Sequence, residues 1–519
     1  MNVISNDLPT TIPSHVEGYL ASQGESATPG AGAALGMTIP VTESVALVGR
    51  LSGRHAHELR TGGGAKLPNS QAENLSGVLG AGVARGPLTG GLLYRGYSFN
   101  YGLPSATDEG AHIEGARHEA IARTELGSSF GPISSLKLES AAQWYAHDEI
   151  ERSGVVGTRF NLRTQSIDAL GRTQIGTVSG ALGVSGTFRQ YEATGEEALT
   201  PAAHSIGLGA FVYQDVPLVA LDDRDARVPR LQAGARFDSY AIDSRAGDEK
   251  FGAPRSLRFN NVSGSVGVNV PLAEGVSAAV SFARAFGAPT VEELFSKAFH
   301  AAVGTYDVGN PALRMETNQG ADAILRVDRS KVSAQISGYY NRVNNFITPT
   351  VVRDTVVDTD DGTTTVPLNQ FTQANATLKG LEGKLEVEIA SQVVVGAVGV
   401  VRAQFLNGGP LPSIPPARLG GLVRYDDGRW TLNGELRHAF AQSRVPATVA
   451  SDPAGIATAA FDLANLSAGY GFSFSGRRHE LTFRIDNVFD ERYKEASSRL
   501  KGFAFNPGRN IALGYRTTF

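Results

Sequence analysis

No cysteine occurs among the 519 residues. Its absence excludes disulfide frameworks, thiolate metal sites and cysteine nucleophiles. Long apolar runs are missing too, and no window approaches the roughly 18 consecutive apolar residues of a membrane helix. Basic tracts are absent and the formal charge is −4, which argues against a nucleic-acid partner. The opening MNVISNDLPTTIP shows neither a basic head nor a run of about 7–15 apolar residues, so it does not carry the secretory pattern. No break in composition divides the chain into domains. Enzyme motifs fail as well. The stretch GVSGT (183–187) is not G-x-S-x-G, and GAGVARG (80–86) is a glycine-rich strand with no helix after it. Nothing marks a Ser-His-Asp set, and the reading is that of a non-enzyme.

What is present is alternation. In KVSAQISGYYN, Val332, Ala334, Ile336, Gly338 and Tyr340 share one parity, and Ser333, Gln335, Ser337, Tyr339 and Asn341 the other. This period of two is the mark of a strand with one apolar face. RWTLNGELR (429–437), HELTFRID (479–486) and NIALGYRTTF (510–519) repeat it. The polar parity carries Arg, Glu and Gln. A mean hydropathy of −0.12 looks soluble, yet a membrane barrel shows lipid only every second residue, so its average stays low.

About 22 such strands are expected, near 15–24, 31–40, 44–57, 72–84, 87–99, 111–127, 132–150, 156–168, 175–190, 203–215, 228–242, 255–270, 275–285, 312–327, 331–347, 366–388, 392–405, 416–426, 429–441, 461–474, 478–488 and 507–519. Most exceed the usual length of about 5–6 residues. Tight turns at 328–330, 425–428 and 475–477 alternate with long segments at 286–311, 348–367, 442–460 and 490–506. Short turns on one rim and long loops on the other are typical of outer-membrane barrels. The expected fold is therefore all-β: a transmembrane antiparallel barrel of about 22 strands, with short periplasmic turns and long extracellular loops. An even count closes the sheet without edges. The only helical periodicity is VEELFSKAF (291–299), inside a long loop.

Two segments carry a more specific likeness. RAFGAPTVEELFSKAFHAAVGTYDVGNPAL (284–313) resembles TonB-dependent outer-membrane receptors, whose strand ends in R-x-F-x-A-P-x-x-x-E-L and whose loop returns through V-G-N-P-x-L. Arg284, Phe286, Pro289, Glu293, Leu294, Asn310 and Pro311 match. The ending is similar to the family's final hairpin: IDNVFDERY with Asn487, Asp490 and Tyr493, then NPGRNIALGYRTTF with Gly508, Arg509 and the terminal Phe519. YGLP (101–104) and YAHDEIERSGVVGTRF (145–160) look most like the branch that includes zinc-type receptors.

The resemblance implies import of scarce solutes such as ferric siderophores, cobalamin, haem or metal ions. It also implies a plug domain inside the barrel, a Ton box pulled by TonB, and a C-terminal aromatic read by the barrel assembly machinery. The implied partners are outer-membrane lipids, a small-molecule or metal-chelate ligand, and the TonB complex for a full-length receptor. No cofactor of its own is expected; a metal ion or chelate would be cargo. The implied location is the outer membrane of a Gram-negative cell. No plug is found in this chain. MNVISNDLP resembles a plug's ending, so residues 1–14 are expected to be its tail and 15–519 the barrel, with plug, Ton box and export signal upstream. Two alternatives stay open: a plugless passive channel, and a soluble all-β binding protein.

Binding residues belong on long loops. His300, Tyr306 and Asp307 lie in the 286–311 loop, and an imidazole beside a carboxylate suits a metal. The ordinary reading of His300 is a solvated loop residue. His112, with Asp108 and Glu109, follows YGLP, where zinc-type members carry a long His/Asp-rich insertion that SATDEGAHIEG lacks. His147, Asp148 and Glu149 lie together near a strand end, with His147 and Asp148 a further candidate metal pair; the ordinary reading is a lumen or girdle histidine. His55 and His57 share a strand face at i and i+2. DTVVDTDDG (354–362) reads as a solvated acidic loop. Tyr94, Tyr97, Trp144, Tyr145, Tyr339, Tyr340 and Trp430 read as interfacial girdle residues.

Overall fold

The computed structural model describes residues 8–105, 110–195, 198–219, 228–245, 249–300, 303–359 and 362–519. Asp108, Glu109, Asp360, Asp361 and the first seven residues lie outside this set. Among the described residues, 22 long strands make one antiparallel wall, and three short segments, Lys297–His300, Thr305–Val308 and Gly409–Pro410, sit beside it. The wall closes on itself. Residues 19–25 of the first strand, Glu17–Glu25, pair antiparallel with residues 512–518 of the last, Asn510–Thr518. Closure removes the open sheet edges that hydrocarbon cannot tolerate.

The alternating residues part as the period of two requires. Leu79, Leu92, Leu436 and Leu513 are 67%, 67%, 64% and 63% exposed on the outer face. The opposite parity carries charge across strand pairs: Arg123 to Glu139 at 2.8 Å, Arg230 to Asp215 at 2.6 Å, and Arg402 to Glu382 at 2.7 Å. Apolar out and ionic in is the arrangement of a barrel whose solvent is lipid outside and water inside. Leu8 packs from the lumen side against Leu93 and Ile121. Pro9 lies so close to Gly82 that a Cβ there would meet its ring at 2.6 Å.

Each of the 22 expected strands has its counterpart, with three corrections. The segment 348–367 is not a loop. The strands Val332–Thr359 and Gly362–Ala390 run through it as a two-stranded ribbon beyond the wall. Its threonines and valines are strand formers. It bends where the register slips between Val343 and Phe346 and again between Val351 and Arg353. The strand Val156–Ile175 runs past Asp168, and its turn falls at Gly176, φ 59°. The 291–299 helix is cut short: Val291–Phe295 is helical and Lys297–His300 extended.

Candidate functional site

The 286–313 loop is built to stay folded over the lumen. Thr290 caps the short helix: its hydroxyl accepts from the Glu293 amide at 3.2 Å, and the Glu293 carboxylate accepts from the Thr290 amide at 2.9 Å. This reciprocal capping box satisfies two otherwise orphaned donors. Burial pushes the Glu293 carboxyl up; the Thr290 amide opposes this and the nearby Glu316 and Glu292 reinforce it, leaving it above the usual range. Pro289 is fully buried, and Leu294 and Phe295 join Ile242, Leu313 and Ile347 in one apolar cluster. Asn310 donates its amide to the Glu293 carbonyl at 2.8 Å and turns the chain by accepting from the Ala312 amide at 3.0 Å. Arg284 donates to the Asn261 side chain at 2.7 Å. The motif residues thus staple the loop to the wall.

That loop carries a hairpin bearing three of the candidates, His300, Tyr306 and Asp307. Asp307 accepts from Thr305 at 2.8 Å and from Asn369 at 2.9 Å, and lies 3.2 Å from His300 Nδ1. Its strand, Thr305–Val308, pairs in parallel with Leu368 to Gln370 of the ribbon. Burial alone would raise the Asp307 carboxyl. The hydrogen bonds from His300, Asn369 and Thr305 outweigh it and hold the group below the usual carboxylate range. An ionised Asp307 fixes the His300 proton on Nδ1 and leaves the Nε2 lone pair open, which is how a carboxylate orients a metal-binding imidazole. Tyr306 falls on the other face of the same short strand.

The wall beneath supplies a second group. In the strand Ile133–Ile150, Tyr145, His147 and Glu149 share the lumen face. His147 Nε2 is 4.0 Å from Glu149, and its ring stacks on Phe160 at 4.3 Å and 11°. Phe99, Tyr145, His147, Phe160 and Tyr191 form a continuous aromatic ladder. His147 Nδ1 is buried without a hydrogen-bond partner. Glu149 lies within electrostatic reach of His300, which brings the hairpin and the wall into one neighbourhood. Tyr191 also lines a cavity of about 550 Å³ under the helix, with Arg189, Asp238, Tyr240, Thr290 and Glu292.

Other candidates go elsewhere. Asp148 is not the partner of His147, because adjacent strand residues face opposite ways. It stands on the outer face and takes two hydrogen bonds from Arg159, at 2.8 and 2.7 Å. His112 is also on the outer face, 3.8 Å from Glu114. His55 is outward as well, 3.3 Å from Glu73 and edge-on to His57. Asp354 accepts from Ser451 and belongs to the ribbon. Tyr94, Trp144, Tyr340 and Trp430 are exposed girdle residues, whereas alternation turns Tyr97, Tyr145 and Tyr339 inward. Glu149, named with His147 and Asp148, is the member of that group that shares the lumen face with His147, at i+2 along the strand. No group of three or more His, Cys, Asp or Glu side chains among the described residues forms a ready metal cage.

The C-terminal motif organises the 487–509 loop. Asn487 and Asp490 adopt φ 48° and 56°. Asn487 accepts from the Glu491 amide at 2.8 Å, and Asp490 from the Arg509 amide at 2.8 Å. Gly508 leaves no room: a Cβ would meet Asp490 at 2.6 Å. Tyr493 packs on Phe461 at 4.5 Å.

A closed 22-strand barrel with a lipid-facing apolar band, a charged lumen and loops folded over one mouth defines an outer-membrane receptor barrel. The chain belongs to the TonB-dependent receptor family, whose β-barrel description ("TonB dependent receptor-like, beta-barrel") matches residues 59–488. This is a family of transport receptors of the Gram-negative outer membrane. Among curated relatives, the heme/hemopexin utilization protein C of Haemophilus influenzae is 24% identical over 309 residues, 54% of this chain. The match spans only 40% of that relative's own length. Among solved structures, the copper transporter OprC aligns with a TM-score of 0.81 at 16% identity, covering 97% of this chain and 82% of that one. The Serratia marcescens hemophore receptor HasR, solved with its hemophore HasA and heme, aligns with a TM-score of 0.76 at 14% identity, over 100% and 83% of the two chains. The FrpB iron transporter of Neisseria meningitidis aligns at 0.76 and 11%, over 100% and 83%. At these identities the likeness is one of fold.

Proposed function

We propose that this barrel imports a scarce metal in chelated form from outside the cell, with TonB supplying the energy through a plug, and with His300 as the metal-sensing donor. The observation that carries this reading is the buried Asp307, held by Thr305 and Asn369, against His300 Nδ1. An imidazole oriented through Nδ1 by a carboxylate keeps its other nitrogen directed for a metal. One free Nε2 suits a metal that arrives with most of its ligands already in place. The aromatic ladder below offers flat surfaces to the organic part of a chelate. Relatives named for copper, iron and heme lie in the same range of cargo.

The test is uptake in Gram-negative cells lacking their own receptors, with the protein expressed from its complete gene. Radiolabelled copper, ferric siderophore and haem are offered in turn, with and without TonB. One cargo is expected to accumulate only when TonB is present. His300→Ala should weaken its binding, and Asp307→Asn should cost roughly 10–100-fold in affinity, as loss of an orienting partner does. Barrel folding is checked in each variant by heat-modifiable gel mobility. Uptake that ignores TonB would establish the passive channel instead. Binding untouched by both substitutions would remove the metal role from His300.

A further inference from the structure

Two lumen-facing arginines on neighbouring strands close on a single carboxylate. Arg418 opens the strand Arg418–Asp426, and Arg437 lies in Trp430–Ala439. Arg437 pairs with Gly420, and Arg418, two residues from Gly420, shares its face. Glu495, from the 487–509 loop, takes one contact from each: Arg418 Nη2 at 2.6 Å and Arg437 Nη2 at 3.3 Å. The Nε groups of both arginines are buried without a hydrogen-bond partner. Each guanidinium fork is therefore half used. The same protein shows full engagement elsewhere, where Arg159 gives both Nε and Nη2 to Asp148 at 2.8 and 2.7 Å. Parallel N–H groups suit an oxyanion bound side-on, and a buried donor without a partner is costly to keep.

The surroundings leave room for such an anion. Beside Arg437 lies a cavity of about 330 Å³, with Leu463, Asn465, Asn487 and Tyr493 in its lining. Two carboxylates also line it, Glu25 and Asp486, but each holds an arginine of its own: Arg54 for Glu25, and Arg484 at 3.0 Å for Asp486. Glu435, two residues from Arg437 on the same face, accepts from Asn465 at 3.5 Å and pairs with no cation among the described residues. At the contact itself, two guanidiniums face one carboxylate. Arg437 also lies over the Phe461 ring, 5.9 Å from its centre, beside buried Ala439 and Leu463. This apolar side keeps water from the guanidinium and strengthens its pull on an anion.

We propose that Arg418 and Arg437 form an oxyanion site for the carboxylate or phosphate of an incoming solute, with Glu495 as its resident stand-in. An anion that takes Nε and Nη2 together makes more of each fork than Glu495 does, and so displaces it. A ligand shifts a conformational equilibrium only by its differential affinity for the two states, and the unused Nε groups supply that difference. Displacement has a consequence for the loop. Its turns at Asn487 and Asp490 do not involve the two arginines and stay in place. The segment around Glu495 loses its tie to the wall and is freed to lift from the lumen. The site stands on strands other than those that carry His300 and needs no metal.

The test is isothermal titration of the detergent-extracted barrel with malonate and, separately, with inorganic phosphate, at constant ionic strength. The wild type is expected to bind at least one, and the tighter of the two names the oxyanion. Glu495→Gln removes the competing charge and should tighten binding about tenfold, the worth of one charge-assisted hydrogen bond. Arg437→Lys keeps the charge, loses the fork, and should weaken binding about tenfold. A Glu495 that served only to hold the loop would give the opposite sign or no change in the first variant. In the wild type, saturating anion should also speed hydrogen exchange at the Glu495 amide, which bonds the Asn506 side chain at 2.9 Å. Heat-modifiable mobility confirms that each variant is folded. Binding that is unchanged or weaker in Glu495→Gln, binding unchanged in Arg437→Lys, or no binding of either anion would overturn the site.

Discussion

At the scale of single residues, the site depends on one carboxylate. Asp307 titrates below the usual range because three donors outweigh its burial. A carboxylate with a depressed folded value contributes stability that is present above its unfolded value, near about 3.9, and is lost as pH falls through the folded one. The hairpin should therefore stay docked from neutral pH down to about pH 4 and loosen in stronger acid. Limited proteolysis at Lys297 reads this directly. Cleavage should be flat across neutral and mildly acidic buffers and rise sharply below the carboxylate range; Asp307→Asn should remove the rise. His300 and Asp307 were legible in the sequence as a His and an Asp on one long loop. Thr305 and Asn369, which complete the arrangement, were not. Asn369 is 62 positions from Asp307, and only the parallel pairing of hairpin and ribbon joins them. The misplacement of Asp148 had a simpler cause. Its neighbourhood was taken along the chain, where a strand sends consecutive side chains to opposite faces.

At the scale of elements, the five-residue helix Val291–Phe295 is too short to persist alone. Its cap and its apolar face hold it. Thr290→Ala removes the cap and should cost about 1 kcal/mol. Leu294→Ala opens a cavity in a fully buried cluster and should cost about 2–5 kcal/mol. Neither is expected to unfold the barrel, because the wall's hydrogen bonds do not pass through the loop. Hydrogen exchange should show the difference: faster exchange at the Gly309 and Asn310 amides, which bond the Ser296 and Glu293 carbonyls, with the wall strands unchanged. Uniform acceleration across the wall would mean that the loop is a structural keystone and not an attached lid. The helix was visible in the sequence by its periodicity, but its end was not. The helical pattern continues through Ser296–Phe299, and antiparallel pairing with Thr305–Val308, itself paired with the ribbon, draws Lys297–His300 into a strand. The ribbon was misread for the converse reason: Pro349, Pro367 and a string of aspartates look like loop chemistry, while the valines and threonines between them pair in register.

At the scale of the whole molecule, the wall was the most legible feature. Alternation sets which face meets lipid, and one strand's pattern does not depend on another's. What alternation leaves unspecified is closure, which depends on two chain segments nearly 500 residues apart. The structure shows how the terminal aromatic serves it. Gly18 and Phe519 exchange two backbone hydrogen bonds, 2.8 Å from the Gly18 amide and 3.0 Å to its carbonyl. The ring of Phe519 occupies the space a Cβ on Gly18 would need, at 2.7 Å. Arg477 covers the ring from the neighbouring turn, 5.4 Å from its centre. Backbone pairing and ring packing are separable. Phe519→Ala keeps the two hydrogen bonds and loses the packing of a half-buried ring. Deleting Phe519 loses both in the shortest pairing of the wall. The deletion should therefore lower the unfolding temperature of the gel-shifted barrel more than the alanine variant does, and both should fall below the wild type. Equal losses would place the whole contribution in the ring. A normal midpoint with less folded protein would instead assign Phe519 to assembly and not to the finished seam.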